Sequence, residues 1–246
     1  MAKKNRIRTD SITDCACVIH GDGYDWVYVD KLYNMLSRNL QNGIRFHVYT
    51  EGHRPVPPHM IKHELTEWPG ISGLKKSWWY KMQLFNPDYH AGPLLYFDLD
   101  TVIVNNIDWI VQSSLEYFWA IRDFKYLWRP TDYGVNSSIM WWDTCKFQHV
   151  WTGFSQQDFK SLLRKYHGDQ DFITDAIPQP ARRLLDANRI KSWRWQAVNG
   201  GYDFTGRTHR VPSAGTQIHN DTSVLIFHGD PKPDKILDPV IVQYWQ

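Results

Sequence analysis

Residues 78–104 read WWYKMQLFNPDYHAGPLLYFDLDTVIV, and the order of residue types in this stretch decides the fold. Leu94-Leu95-Tyr96-Phe97 is a continuous apolar run, the pattern of a strand buried on both faces at the centre of a sheet. It passes directly into Asp98-Leu99-Asp100. On an extended backbone residues two apart project to one side, so both carboxylates reach toward one point. Two like charges delivered to the tip of a buried strand are costly unless something positive meets them. A hard cation with oxygen ligands meets that need, although Asp pairs also cap helices. Ahead of the strand, Trp78 to Phe85 reads as helical and carries Lys81.

Toward the N-terminus, Cys15 to His20 (CACVIH) is a short apolar run that ends in the turn segment Gly21-Asp22-Gly23. Val27, Leu32, Met35, Leu36 and Leu40 follow at helical spacing. Asn42-Gly43 closes that helix, and Ile44 to Thr50 alternates like a strand. A β-α-β opening favours a parallel sheet with a right-handed crossover. The Pro-, Gly- and His-rich stretch 51–75 reads as loop with one short strand near 60–65. Beyond Asp100, strands are expected near 117–122 and 138–142, helices over 145–165 and 169–176, and a last strand at Val224 to Phe227. The expected fold is one α/β domain over 1–246: a Rossmann-like, mostly parallel central sheet with helices on both faces and ligands at the carboxyl ends of its strands. Residues 1–14, with their Lys3, Lys4, Arg6, Arg8 cluster, read as a loosely ordered terminus.

Composition narrows the function classes. A net charge of +2 offers no basic stripe for nucleic acid. No apolar run approaches the roughly 20 residues that span a bilayer, and no apolar signal core follows the basic N-terminus. Three cysteines, Cys15, Cys17 and Cys145, are too few for a disulfide framework; a reducing, cytoplasmic setting is expected. Thirteen Trp and thirteen Tyr suit sugar rings and nucleobases, but the same residues fill cores. His59-Met-Ile-Lys-His63 offers two histidines at i and i+4, a weak zinc pattern that lacks a third ligand. Trp141-Trp142 is expected to divide between core and cleft.

The 78–104 block resembles the central block of the glycogenin-like (family 8) glycosyltransferases and their bacterial and phage relatives, in which a helical Lys precedes a strand ending in a D-x-D metal motif. GVNSSIMWWD (134–143), HGDQDFI (167–173) and FHGDPKP (227–233) resemble three further blocks of that family, in the family's order. The resemblance implies a type A nucleotide-sugar transferase (GT-A) fold and transfer of a sugar, with retention of configuration, from a nucleotide-sugar donor, a UDP-sugar first of all, to an acceptor it does not name. It implies Mn²⁺ or Mg²⁺ held by Asp98, Asp100 and His228. It places Lys232 and the Gly229 backbone on the diphosphate, Asp98 also on the ribose, Lys81 near the donor, and Tyr24 near the base. Asn136, Ser137, Asp169 and Gln170 are placed on the transferred sugar. Oxocarbenium-like charge on that sugar would be stabilised by a neighbouring carboxylate, Asp169 or Asp171. Two departures stand out. His228 directly precedes Gly229, with Ile226 where the family's His is expected, and Asn-Ser-Ser replaces the family's Asn-Ser-Gly.

Taken singly these residues have plainer roles open to them. Asp169 suits a helix cap, Lys81 a solvated helix face, Asn136 a turn, Tyr24 the core and His228 a hydrogen-bonded structural site. Two other function classes compete. Phe-Asp-Leu-Asp-Thr-Val also resembles the first motif of haloacid-dehalogenase-like, Mg²⁺-dependent phosphatases, and a non-catalytic carbohydrate-binding relative would use the same aromatics. The acceptor surface is expected from 51–75 and 178–222.

Overall fold

Strand order follows from which runs are apolar on both sides. The computed structural model describes residues 11–68, 77–198 and 215–246. The principal sheet contains β1 (Ile12–Val18), β2 (Gly43–Thr50), β3 (Ile61–Glu64), β4 (Pro93–Phe97), β6 (Phe118–Arg122), β7 (Val135–Asp143) and β8 (Arg182–Leu184). A smaller sheet contains β5 (Thr101–Ile103), β9 (Ile190–Ser192) and β10 (Val224–Ile226). The seven-stranded order is β3-β2-β1-β4-β7-β6-β8, so the apolar β4 holds the centre. Its neighbour β1 is parallel and β7 antiparallel, as is the β6–β7 pair, while β1–β2, β2–β3 and β6–β8 are parallel. The sheet is therefore mixed, with a parallel left half.

Period-two alternation sends neighbouring residues into separate cores. Cys15, Cys17, Leu95, Phe97 and Trp141 enter one, with α1 (Val27–Asn39), α6 (Pro239–Tyr244) and the small sheet. Ala16, Tyr49, Leu94, Tyr96 and Trp142 enter the other, beneath the helix 77–85, α3 (Gln148–Ser155), α4 (Phe159–Lys165) and α5 (Asp169–Ala176). Trp141 and Trp142 thus serve the two cores and neither enters a cleft. α2 (Asp108–Val111) is a single turn between the sheets. Among the described residues no helix is long and apolar enough to cross a membrane.

Two expectations change, and two readings become more specific. The first strand begins at Ile12, because residues 12–14 pair with 43–45 of β2; residues 1–10 of the expected loose terminus lie outside the described residues. Ser77–Phe85 is helical, as read, in the 3-10 form. Runs of that length are uncommon, and burial on all sides, from Trp79 through Phe85, holds it by packing in place of good internal hydrogen bonds. His59 and His63 do not share a helix face: His63 is on β3, and His59 lies before it with its ring 5.2 Å from that of Tyr33. The single helix expected over 145–165 is two, divided by a turn where Asp158 accepts from the Ser161 N–H and caps α4.

Candidate active site

At the carboxyl ends of β1 and β4 the chain encloses a cleft of about 600 Å³, within the range that holds a small-molecule substrate. Every site residue expected from the sequence lines it except Asp171. The Asp171 carboxylate turns back to the His167 backbone N–H, 3.2 Å away, and serves the entry of α5. Asp169 has the reverse outcome. Gly168, not Asp169, occupies the cap position, and Asp169 is buried in the cleft wall.

The strand-end carboxylates are held separately. The Asp98 N–H donates to the Ser138 carbonyl at 2.8 Å, which fixes the backbone as β4 ends. The Asp98 carboxylate accepts from Tyr96 Oη at 2.6 Å and pairs with Lys81 Nζ at 2.8 Å. Lys81 is 8% exposed and also reaches Ser137 Oγ at 3.1 Å and Asp169 at 3.6 Å. Ser137 Oγ in turn donates to Asp169 Oδ2 at 2.5 Å. Asp100 accepts from Tyr24 Oη at 2.9 Å and pairs with Lys232. Lys81 is thus no solvated helix lysine, and Tyr24 is more than core filler.

Three carboxylates, Asp98, Asp100 and Asp169, meet two ammonium groups in this network, so one negative charge is left over. Burial is the main influence on all three acids. For Asp98 it is overcome by Lys81 and the Tyr96 hydroxyl, which hold the group below the usual carboxylate range. For Asp100 burial and the nearby Asp98 charge win over Lys232 and Tyr24, and the group is raised. Asp169 is raised for the same reason, its burial outweighing Lys81. Lys81 itself is raised, because these carboxylates outweigh its burial.

His228 does not join the carboxylates: the ligand atoms of Asp98, Asp100 and His228 do not all lie within 4.8 Å of one another. Its Nε2 is 2.7 Å from Ser192 Oγ, and its ring packs on Phe124 and Trp195 at centroid distances of 5.2 and 4.1 Å. Burial, aided by Arg194 and Lys232, lowers its pKa to about 3, so the imidazole is neutral at ordinary pH. Gly229 follows with φ +73°, and a Cβ there would lie 2.7 Å from Arg194 Nη1. The left-handed backbone favours glycine there, whereas the Cβ contact falls on the flexible end of the Arg194 side chain. Asn136 stays in strand β7, its Oδ1 accepting from the Ser138 N–H at 3.0 Å, and Gln170 Nε2 donates to Asp123 at 3.3 Å.

Sequence reading missed several contributors. Pairing between β6 and β7 slips after Ala120, so Ala120 faces Met140 while Ile121 faces Asn136. The extra residues on β7 push Ser137 and Ser138 toward the cleft, a common use of bulges beside functional sites. Ser138, Tyr96, His20 and Trp78 also line the cleft. His20 had a readable signal, since it directly follows an apolar strand at the ligand-binding end; the bulge had none. Of the expected acceptor surface, 51–75 and 178–222, residues 69–75 and 199–214 lie outside the described residues.

The turn that delivers Tyr24 is pinned by Glu51. Its carboxylate accepts from the Gly21 N–H, from Thr50 Oγ1 at 2.8 Å and from Arg54 Nε at 2.9 Å, and Arg54 also donates to the Gly21 carbonyl at 2.8 Å. Burial opposes ionisation, but these donors together lower the Glu51 pKa to about 2. A depressed acid contributes stability above its unfolded pKa of about 4.3 and loses it as pH falls toward the folded value. Glu51→Gln is expected to cost about 1–3 kcal/mol at pH 7. Denaturant unfolding at pH 7 and pH 3 checks this, with the difference between the two proteins shrinking in acid.

No protein-family model matches the sequence, and no curated protein matches it. Solved structures do. The galactosyltransferase LgtC in complex with donor and acceptor sugar analogues is 15% identical, with a TM-score of 0.60 over 90% of this chain and 89% of that one. An active-site mutant of LgtC is 13% identical, with a TM-score of 0.62 over 94% of each chain. The glycosyltransferase GlyE of Streptococcus pneumoniae is 12% identical, with a TM-score of 0.62 over 96% of this chain and 59% of that one. The chain has the α/β fold of these GT-A-like glycosyltransferases, with the cleft at the carboxyl end of its central strand.

Proposed function

We propose that the chain is a metal-dependent glycosyltransferase that takes a sugar, with retention of configuration, from a uridine diphosphate sugar. The observation that carries this reading is the pairing, across one cleft, of two strand-end carboxylates with a lysine that follows a left-handed glycine: Asp98 and Asp100 on one side, Gly229 and Lys232 on the other.

A divalent ion fits the carboxylate pair, because the network carries one uncompensated negative charge and oxygen donors suit Mn²⁺ or Mg²⁺. Asp98 and Asp100 would hold it; His228, committed to Ser192, would have to turn before it could contribute. Bound there, such an ion supplies positive charge beside the leaving diphosphate. The chain's own residues do the rest. Lys232 moves from Asp100 to phosphate oxygens, and the Gly229 backbone approaches them closely because no side chain intervenes. Lys81 keeps Asp98 ionised and holds Asp169 in place. Asp169, aimed by Ser137, is the carboxylate available to the oxocarbenium-like sugar. Asn136 and Gln170 complete the sugar pocket, and Tyr24 flanks the base.

The test is incubation with a panel of UDP- and GDP-sugars, with Mn²⁺ or with EDTA, following nucleoside diphosphate release. Slow release from one donor, abolished by EDTA, is the expected result. Phosphate release from sugar phosphates in Mg²⁺, without nucleoside diphosphate release, would favour the phosphatase reading.

A further inference from the structure

A second cluster of metal-ligating side chains lies at the other end of the same strands. Asp14 is on β1, His47 on β2, and His90 in the turn ahead of β4. Cys15 pairs with Leu95, which sets Val18 level with Asp98 and puts Asp14 four residues away toward the opposite edge. That separation is roughly 13 Å along the strand. We propose that Asp14, His47 and His90 form a second metal site, for a borderline transition ion such as Zn²⁺, with His63 as its outer hydrogen-bond partner.

The ligand atoms of the three residues all lie within 4.8 Å of one another. Hydrogen bonds select which atoms those are. His90 Nε2 is 3.1 Å from the Pro93 carbonyl, which can only accept, so Nε2 carries the proton and Nδ1 is the free lone pair. A ligating histidine usually has its other ring N–H held in this way. His47 Nε2 is 2.7 Å from Asp14 Oδ1, and His47 Nδ1 is 2.8 Å from His63 Nε2. Without an ion, the His47 proton sits on Nε2 facing the carboxylate, and His63 donates to Nδ1. With an ion between Asp14 and His47, the His47 proton moves to Nδ1 and His63 Nε2 becomes its acceptor. The His63 proton shifts to its own Nδ1, so no net proton is lost, and both nitrogens of His47 keep a partner.

Asp14 is already aimed. Arg45 donates to Oδ1 and Oδ2 at 2.5 and 2.6 Å, so the carboxylate keeps one anchoring oxygen when the other ligates. Two ligands on a tetrahedral Zn²⁺ lie about 3.3 Å apart, so the Asp14–His47 pair need open only slightly. Two imidazoles, one carboxylate and one open position suit Zn²⁺, whereas the carboxylate pair at Asp98 and Asp100 suits harder ions. The ion would tie the turn ahead of the central strand to β1 and β2. This inference is independent of the proposed transfer activity.

The test is calorimetric titration of chelator-treated protein with Zn²⁺ at pH 7.5, in an Asp100→Asn background that disables the other carboxylate pair. One bound equivalent is expected, lost in His90→Ala and in Asp14→Asn, and weakened about 10–100-fold in His63→Gln. His90 is half-buried on a turn, so His90→Ala should unfold at the parent's temperature when metal is absent; Asp14→Asn is the second check. Co²⁺ in the parent should give the visible absorption of a four-coordinate ion. Failure of the parent to retain Zn²⁺, or undiminished binding by folded His90→Ala, would overturn the proposal and leave a hydrogen-bonded relay.

Discussion

Asp100→Asn should lower nucleoside diphosphate release by at least about 10²-fold, since a bound ion contributes several kcal/mol to stabilising a leaving phosphate, while the folded state survives. The substitution keeps the shape and an oxygen acceptor for Tyr24 Oη. It removes a carboxylate that burial and Asp98 already destabilise in its charged form. Lys232 loses its ionic partner but keeps the Phe227 carbonyl at 3.3 Å, and its side chain, 27% exposed, can also turn to water. Thermal unfolding and turnover measured on the same sample separate the two effects. Near-normal release would remove Asp100 from the site. A large drop in melting temperature would instead make it a structural residue.

Lys81→Met should have the largest effect on stability, a loss of about 3–5 kcal/mol at pH 7, the usual result of removing one partner from a buried ion pair. In a chain of this size that corresponds to a fall in Tm of roughly 6–20 °C. Met matches the lysine stem but leaves Asp98 and Asp169 without their shared cation. The pH dependence follows. Lys81 holds Asp98 below its ordinary pKa, so the stability it lends is present above the unfolded value of about 3.9 and lost as pH falls through the depressed one. The deficit of the variant should therefore be widest near neutral pH and narrow in acid, where the stranded carboxylates take up protons. Urea unfolding at pH 7 and pH 4 checks both points; equal deficits at the two would show that Lys81 acts by packing alone.

The parts legible in the sequence were those set by local pattern. An all-apolar tetrad announced β4 and its central place, and two carboxylates with one residue between them announced its ligand end. The ordered blocks led to the cleft residues, because each block sits where a strand or helix terminus meets it. What escaped reading was decided by tertiary pairing. The three-residue strands β5 and β9 carry too little pattern to stand out, yet they frame β10 and so position Gly229 and Lys232. The β7 bulge depends on its register with β6, which no residue type signals. Asp171 shares the chemistry of Asp169, and only the helical rotation of α5 turns one into the cleft and the other away. His228 carries the right ligand atoms, but Ser192, from a strand not foreseen, holds one of them.

The most direct test of the central claim is calorimetric titration of the unmodified protein with UDP, with and without Mn²⁺. If Asp98, Asp100, Gly229 and Lys232 form a metal–diphosphate site, UDP binds measurably with Mn²⁺ and far more weakly in EDTA, and uridine binds poorly in both. UDP affinity unchanged by EDTA, or no binding of UDP or GDP under either condition, would contradict the assignment.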